Sequence, residues 1–188
     1  MADNQNILKE IDIVYELDIA DELKPIVSMF LYRQLKETAG NGRINLSCVF
    51  NQSVRKTDQL AISEFFVSMM HKLYQSEDER LIEADYEALC VDDSSKVYAG
   101  AKSNLKIDKI IKELNKGVLF IDGIEKAGSD DAYRRGVILV HLITKGLRKN
   151  ACSVVFSDSA NALSNISPPL LTMARRESRL IEVPKFAL

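Results

Sequence analysis

Two short features of this sequence carry residue types that belong to one chemistry. Lys56-Thr57 follows a short apolar run and opens an amphipathic stretch, and Asp122 closes a longer apolar run, Gly117-Val118-Leu119-Phe120-Ile121-Asp122. A lysine beside a hydroxyl residue at a helix start suits a polyphosphate, because the ammonium reaches the β- and γ-phosphates while the hydroxyl holds Mg²⁺. An aspartate at the end of a buried strand orients the same ion. Lys56 is therefore the candidate phosphate contact, and Thr57 and Asp122 are the candidate Mg²⁺ ligands. The stretch before them, Phe50-Asn51-Gln52-Ser53-Val54-Arg55, departs from the glycine-rich loop pattern at both glycine positions, which hold Phe50 and Arg55. Glycine permits φ > 0 there and a close approach of backbone N–H groups to phosphate. A side chain at either place is expected to hinder or distort that cradle. By itself, Lys-Thr at this place fits a solvated helix start better than a phosphate site; its combination with Asp122 is more specific. Gly123 stands where a glutamate would polarise the attacking water, and Glu125 lies two residues further on.

The elements that must position these residues alternate along the chain. Residues around Ile7 to Ala20 are amphipathic, and Leu23 to Thr38 reads as a helix with Leu23, Ile26, Val27, Phe30 and Leu31 on one face, broken by Gly40-Asn41-Gly42. Ile44 to Phe50 is a short β-rich run, and a helix is expected from about Thr57 to Gln75. Leu81 to Asp85 reads as a second strand, and Ser103 to Asn115 and Asp130 to Lys149 read as helices. Gly117 to Asp122 and Cys152 to Phe156 are continuous apolar runs, as in parallel strands covered on both faces. Leu180 to Val183 is a last short strand before Pro184. This alternation predicts an α/β fold with an open, mostly parallel sheet of five strands flanked by helices. Ligands of such sheets bind beyond the carboxyl ends of the strands, which is where Asn51 to Thr57 and Asp122 fall.

Composition sets outer bounds. The chain has 188 residues, 46% of them hydrophobic, enough for one packed domain and too apolar for wholesale disorder. A net charge of −2 argues against a dedicated nucleic-acid binder. No apolar run approaches the roughly 18 residues of a membrane span, so no membrane partner is expected. The opening Met1-Ala2-Asp3-Asn4-Gln5-Asn6 lacks the basic and apolar regions of a secretion signal. Cys48, Cys90 and Cys152 are odd in number and set among apolar neighbours, which reads as buried free thiols in a reducing cytoplasm. His71 and His141 have no ligand-spaced partner, so metal binding by histidine is not expected.

On these motifs the sequence resembles AAA+ proteins of the CbxX/CfxQ type, the group that includes red-type Rubisco activases. The resemblance runs from about Ile7 to Phe186 and rests on order and spacing more than identity. Phe50-Asn51-Gln52-Ser53-Val54-Arg55-Lys56-Thr57 stands in the place of the family's Gly-Asn-Pro-Gly-Thr-Gly-Lys-Thr and keeps Asn51, Lys56 and Thr57. Val91-Asp92-Asp93-Ser94-Ser95-Lys96-Val97-Tyr98-Ala99-Gly100 is similar to the family's pore-loop segment, with Tyr98 and Gly100 as its aromatic and glycine; outside that match Tyr98 reads as a surface tyrosine in a turn. Gly117 to Asp122 matches the strand that carries the Mg²⁺-orienting aspartate. Ser178-Arg179-Leu180 looks like the segment bearing the arginine finger, with Arg175 and Arg176 nearby, and reads equally well as a basic helix end.

The resemblance implies a P-loop NTPase-like fold, the AAA+ large subdomain, over residues 1–188: an N-terminal helical segment (1–42) and a core (43–188). Family members continue into a small helical lid, whereas this sequence ends at Leu188, so a domain without the lid is expected. The lost glycines and Gly123 imply a degenerate nucleotide site. The expected role is a regulatory or scaffold subunit acting through protein contacts, with an intact AAA+ relative as one partner. No cofactor is expected, although ATP with Mg²⁺ is the ligand the motifs would take. The alternative is a slow ATP-dependent protein remodeller.

Overall fold

A computed structural model describes residues 9, 11–41, 45–51, 53–74, 81–85, 114, 117–123, 152–157 and 179–183. Within them lie a 3₁₀ turn at Ile13–Glu16 and two helices, α1 (Leu23–Asn41) and α2 (Lys56–Tyr74). Five strands are described: β1 (Cys48–Phe50), β2 (Leu81–Asp85), β3 (Gly117–Asp122), β4 (Cys152–Ser157) and β5 (Leu180–Ile181). They join in the order β2-β3-β4-β1-β5, and each neighbouring pair is parallel. The α/β class and the parallel pairing are thus as the alternation predicts. The expected helices at 103–115 and 130–149 lie outside the described residues, apart from Leu114, which is helical and buried.

The strongest strand shows why its sequence is apolar throughout. Val118, Leu119, Phe120 and Ile121 are all fully buried, so both faces of β3 are covered. Val118 and Phe120 join the hydrophobic cluster that holds Ile62, Phe66, Met69 and Met70 of α2. Asp122 shares their parity and therefore points to the α2 side of the sheet. Helix α2 packs chiefly on β3, with β2 and β4 beside it. Helix α1 contributes Leu23, Val27, Phe30, Leu31 and Leu35 to the same cluster. The Phe30 and Phe66 rings, 5.7 Å apart at a tilt of 32°, tie α1 to α2. Such a pair adds about 0.5–1.5 kcal/mol beyond its area burial.

Helix α1 runs through Gly40 to Asn41, past the expected end at Thr38, and three further boundaries differ, each for a local reason. The amphipathic segment before Ala20 forms a 3₁₀ turn at Ile13–Glu16 that buries Val14. The run from Ile44 is shorter as a strand because residues 45–47 spend their groups elsewhere. The Asn45 and Ser47 carbonyls accept from Arg179, the Leu46 N–H donates to Ser153 Oγ, and the Ser47 N–H donates to Asn45 Oδ1. Strand β5 stops at Ile181, since the Val183 N–H donates to Ser53 Oγ in the loop after β1.

Candidate functional site

The site forms where β1 ends and α2 begins, beside the end of β3. Phe50 is the last residue of β1 and lies fully buried in the core cluster. Val54, also buried in that cluster, anchors the loop's other end. Helix α2 starts at Lys56, and its first i→i−4 bond runs from the Gln59 N–H to the Arg55 carbonyl. Ahead of that bond, the N–H groups of the first turn have no intrahelical acceptor and face the loop end with partial positive charge. Asp58, 2% exposed, lies in this turn and complements the helix dipole.

Lys56 and Asp122 come together. Lys56 Nζ lies 2.6 Å from Asp122 Oδ2, with the two side chains 41% and 46% exposed. In the sheet order β4 separates β1 from β3, so about 10 Å of sheet lies between the two strands. The long lysine side chain closes that gap. Its ammonium also sits 4.3 Å from the centroid of the Phe120 ring, two residues before Asp122 on the same face. The second carboxylate oxygen, Asp122 Oδ1, accepts the Gly123 N–H at 2.9 Å. Gly123 has φ 74°, a left-handed value that glycine adopts without steric cost. Thr57 is exposed in the first turn of α2, on the residue next to Lys56.

Phe50 and Arg55, at the glycine positions of the loop pattern, do not fill the space in front of the helix. Phe50 turns into the core. Arg55 folds along the outside of α2, its Nε and a terminal nitrogen each 2.9 Å from Asp58 carboxylate oxygens, with its side chain 69% exposed. The loop has its own acceptors for two of its N–H groups. The Ser53 N–H donates to Asn51 Oδ1 at 3.2 Å, and the Val54 N–H donates to the Asn51 carbonyl at 2.9 Å. These are the groups a phosphate would need. Gln59 Nε2 donates to the Val54 carbonyl and fixes the loop to the helix.

Asn51 is also tied to the end of β5. Its backbone N–H donates to the Ile181 carbonyl and its Nδ2 donates to Glu182 Oε2 at 3.1 Å. Sequence reasoning did not select Glu182. Its role depends on β5 lying beside β1, a neighbourhood that 130 residues of intervening chain conceal. Phe120 was legible only as a strand residue.

Arg179 is placed differently from a residue that reaches a neighbouring subunit. It is 5% exposed, and one terminal nitrogen donates to the carbonyls of Asn45 at 3.1 Å and Ser47 at 2.9 Å. It braces the approach to β1 from the position just before β5. Cys48, next to this brace, is a buried free thiol whose burial pushes its pKa far above the ordinary thiol range, against a smaller opposing effect of the Arg179 charge. Tyr98, Gly100, Glu125, Arg175 and Arg176 lie outside the described residues. Among the described residues, no helix is long and apolar enough to cross a membrane. No family model and no curated sequence matches this chain.

Proposed function

We propose that this chain is a degenerate AAA+ large subdomain, a pseudo-ATPase that acts through protein contacts as a regulatory or scaffold subunit. The descent from a P-loop NTPase is supported by the meeting of Lys56 and Asp122 at the carboxyl ends of a parallel sheet, with Thr57 in the first turn of the helix that follows β1. The loss of function is carried by one observation: Ser53 and Val54 donate their N–H groups to Asn51 instead of facing outward. A polyphosphate would have to break these bonds and offer nothing to Asn51 in return. Gly123 deepens the defect. It supplies no carboxylate to polarise water, and its left-handed φ turns the chain directly after Asp122. Loss of such a group costs several kcal/mol of transition-state stabilisation, or orders of magnitude in turnover.

The test is steady-state ATP hydrolysis with Mg²⁺, alongside affinity capture of a folded partner. The reading expects no turnover above background and recovery of a defined protein, such as an intact AAA+ relative. Steady hydrolysis abolished by Lys56→Ala would overturn it.

One observation favours the alternative, a slow ATP-dependent remodeller binding nucleotide through Asn51, Lys56, Thr57 and Asp122. The Lys56–Asp122 pair is about half exposed, and exposed pairs are worth only about 0–1 kcal/mol. A nucleotide could therefore claim the lysine, and Mg²⁺ the aspartate, at little cost from that pair alone.

A further inference from the structure

We propose that the contact of Asn51 and Ser53 with the Ile181-Val183 segment is an autoinhibitory latch on the loop after β1. Three bonds cross it. The Asn51 N–H donates to the Ile181 carbonyl, Asn51 Nδ2 donates to Glu182 Oε2, and the Val183 N–H donates to Ser53 Oγ. Their combined effect is to orient Asn51. With Nδ2 held by the Glu182 carboxylate, Oδ1 is directed at the Ser53 N–H, and the Asn51 carbonyl takes the Val54 N–H. The latch thus keeps both loop donors satisfied from within.

The arrangement selects against one ligand class, the polyphosphate chain. Such a chain needs the Ser53 and Val54 donors, the first-turn N–H groups of α2 and the Lys56 ammonium. Glu182 also sets a negative charge on the exposed rim, which repels that ligand. Both side-chain bonds of the latch are exposed, so water competes for them and the closed form is opposed by an accessible open one. A minor state of this kind is populated at about 0.1–10%, and apparent affinity is reduced by the same fraction. Opening the latch therefore raises affinity for a polyphosphate without any new contact. Any partner that draws the end of β5 away would do the same, which makes the site one that a protein contact can switch.

This proposal rests on reading the loop as an eroded phosphate loop, and its test separates the two ideas. Glu182→Ala, Ser53→Ala and the double variant are compared with wild type in the full chain, with thermal melts to establish folding. Amide hydrogen exchange at Ser53 and Val54 is measured without ligand, and inorganic tripolyphosphate is titrated by calorimetry. The double variant is expected to exchange at least about tenfold faster at both amides and to bind tripolyphosphate about tenfold more tightly. The single variants fall between, and adding Lys56→Ala removes the gain. Unchanged exchange and unchanged affinity in folded variants would overturn the latch, as would a gain that survives Lys56→Ala. Failure of the pseudo-ATPase reading appears elsewhere, as ATP turnover by the wild-type chain, and leaves the exchange result intact.

Discussion

Lys56 and Asp122, 66 positions apart in the sequence, face each other at 2.6 Å across the carboxyl end of the sheet. The lysine is also held over the Phe120 ring, so a single aromatic residue of β3 and the aspartate two places on share one cation. The ammonium of Lys56 and the carboxylate of Asp122 satisfy each other here. With both side chains about half exposed, the pair is worth only about 0–1 kcal/mol.

Gly123 suits the backbone, which takes a left-handed φ of 74° there. Replacing it with glutamate restores the residue type a water-polarising position would need, but forces a side chain into the left-handed region at a cost of about 1–2 kcal/mol. Gly123→Glu is expected to lower Tm by about 2–8 °C and to yield no ATP hydrolysis. A thermal melt and a phosphate-release assay check both halves.

Arg179 bonds two carbonyls of its own chain. Arg179→Ala leaves the Asn45 and Ser47 carbonyls buried without this donor, at about 1–3 kcal/mol for each group left unsatisfied. Arg179→Lys keeps the charge but loses the planar fork and recovers only part of that loss. Denaturant unfolding of the three proteins gives the order wild type, Lys, Ala. Equal midpoints would show that the brace contributes nothing.

Cys48 makes stability fall at high pH. Burial raises its pKa in the folded chain, so above the ordinary thiol pKa of about 8.5 the unfolded chain releases a proton that the folded chain retains. The unfolded state then binds fewer protons, and stability declines as pH rises. Below that pH the contribution is fully present. Cys48→Ala is expected to flatten the decline between about pH 8.5 and 10 in a series of denaturant midpoints. The thiol itself should react slowly with an aromatic disulfide at pH 8 until the protein is unfolded.

Much of the frame was legible in the sequence because burial on both faces leaves a plain mark. Val118 to Ile121 reads as a covered strand, and the helix expected from about Thr57 starts one residue earlier, at Lys56. Lys56 and Asp122 were legible as a pair because parallel strands bring their carboxyl ends to one edge. Other features depend on neighbours that are distant in sequence. Leu46 loses its ladder partner to Ser153 Oγ, and Ser47 loses its own to Asn45 Oδ1. Asn45 is a local competitor, two residues from Ser47, whereas Ser153 cannot be identified without knowing that β1 lies beside β4. The same holds for Glu182, whose grip on Asn51 exists only because β5 pairs with β1. Arg179 reads in the sequence as an arginine finger or a basic helix end; its burial and its bonds to the Asn45 and Ser47 carbonyls depend on contacts more than 130 residues away in sequence.

The central claim is that the loop after β1 has lost its use for nucleotide, and calorimetry tests it most directly. ATP and ADP are titrated with Mg²⁺ into the purified wild-type chain and into Lys56→Ala. The account predicts no binding in the micromolar range for either protein, and indistinguishable traces. Micromolar binding by the wild type that vanishes in Lys56→Ala would contradict it and establish a working nucleotide site.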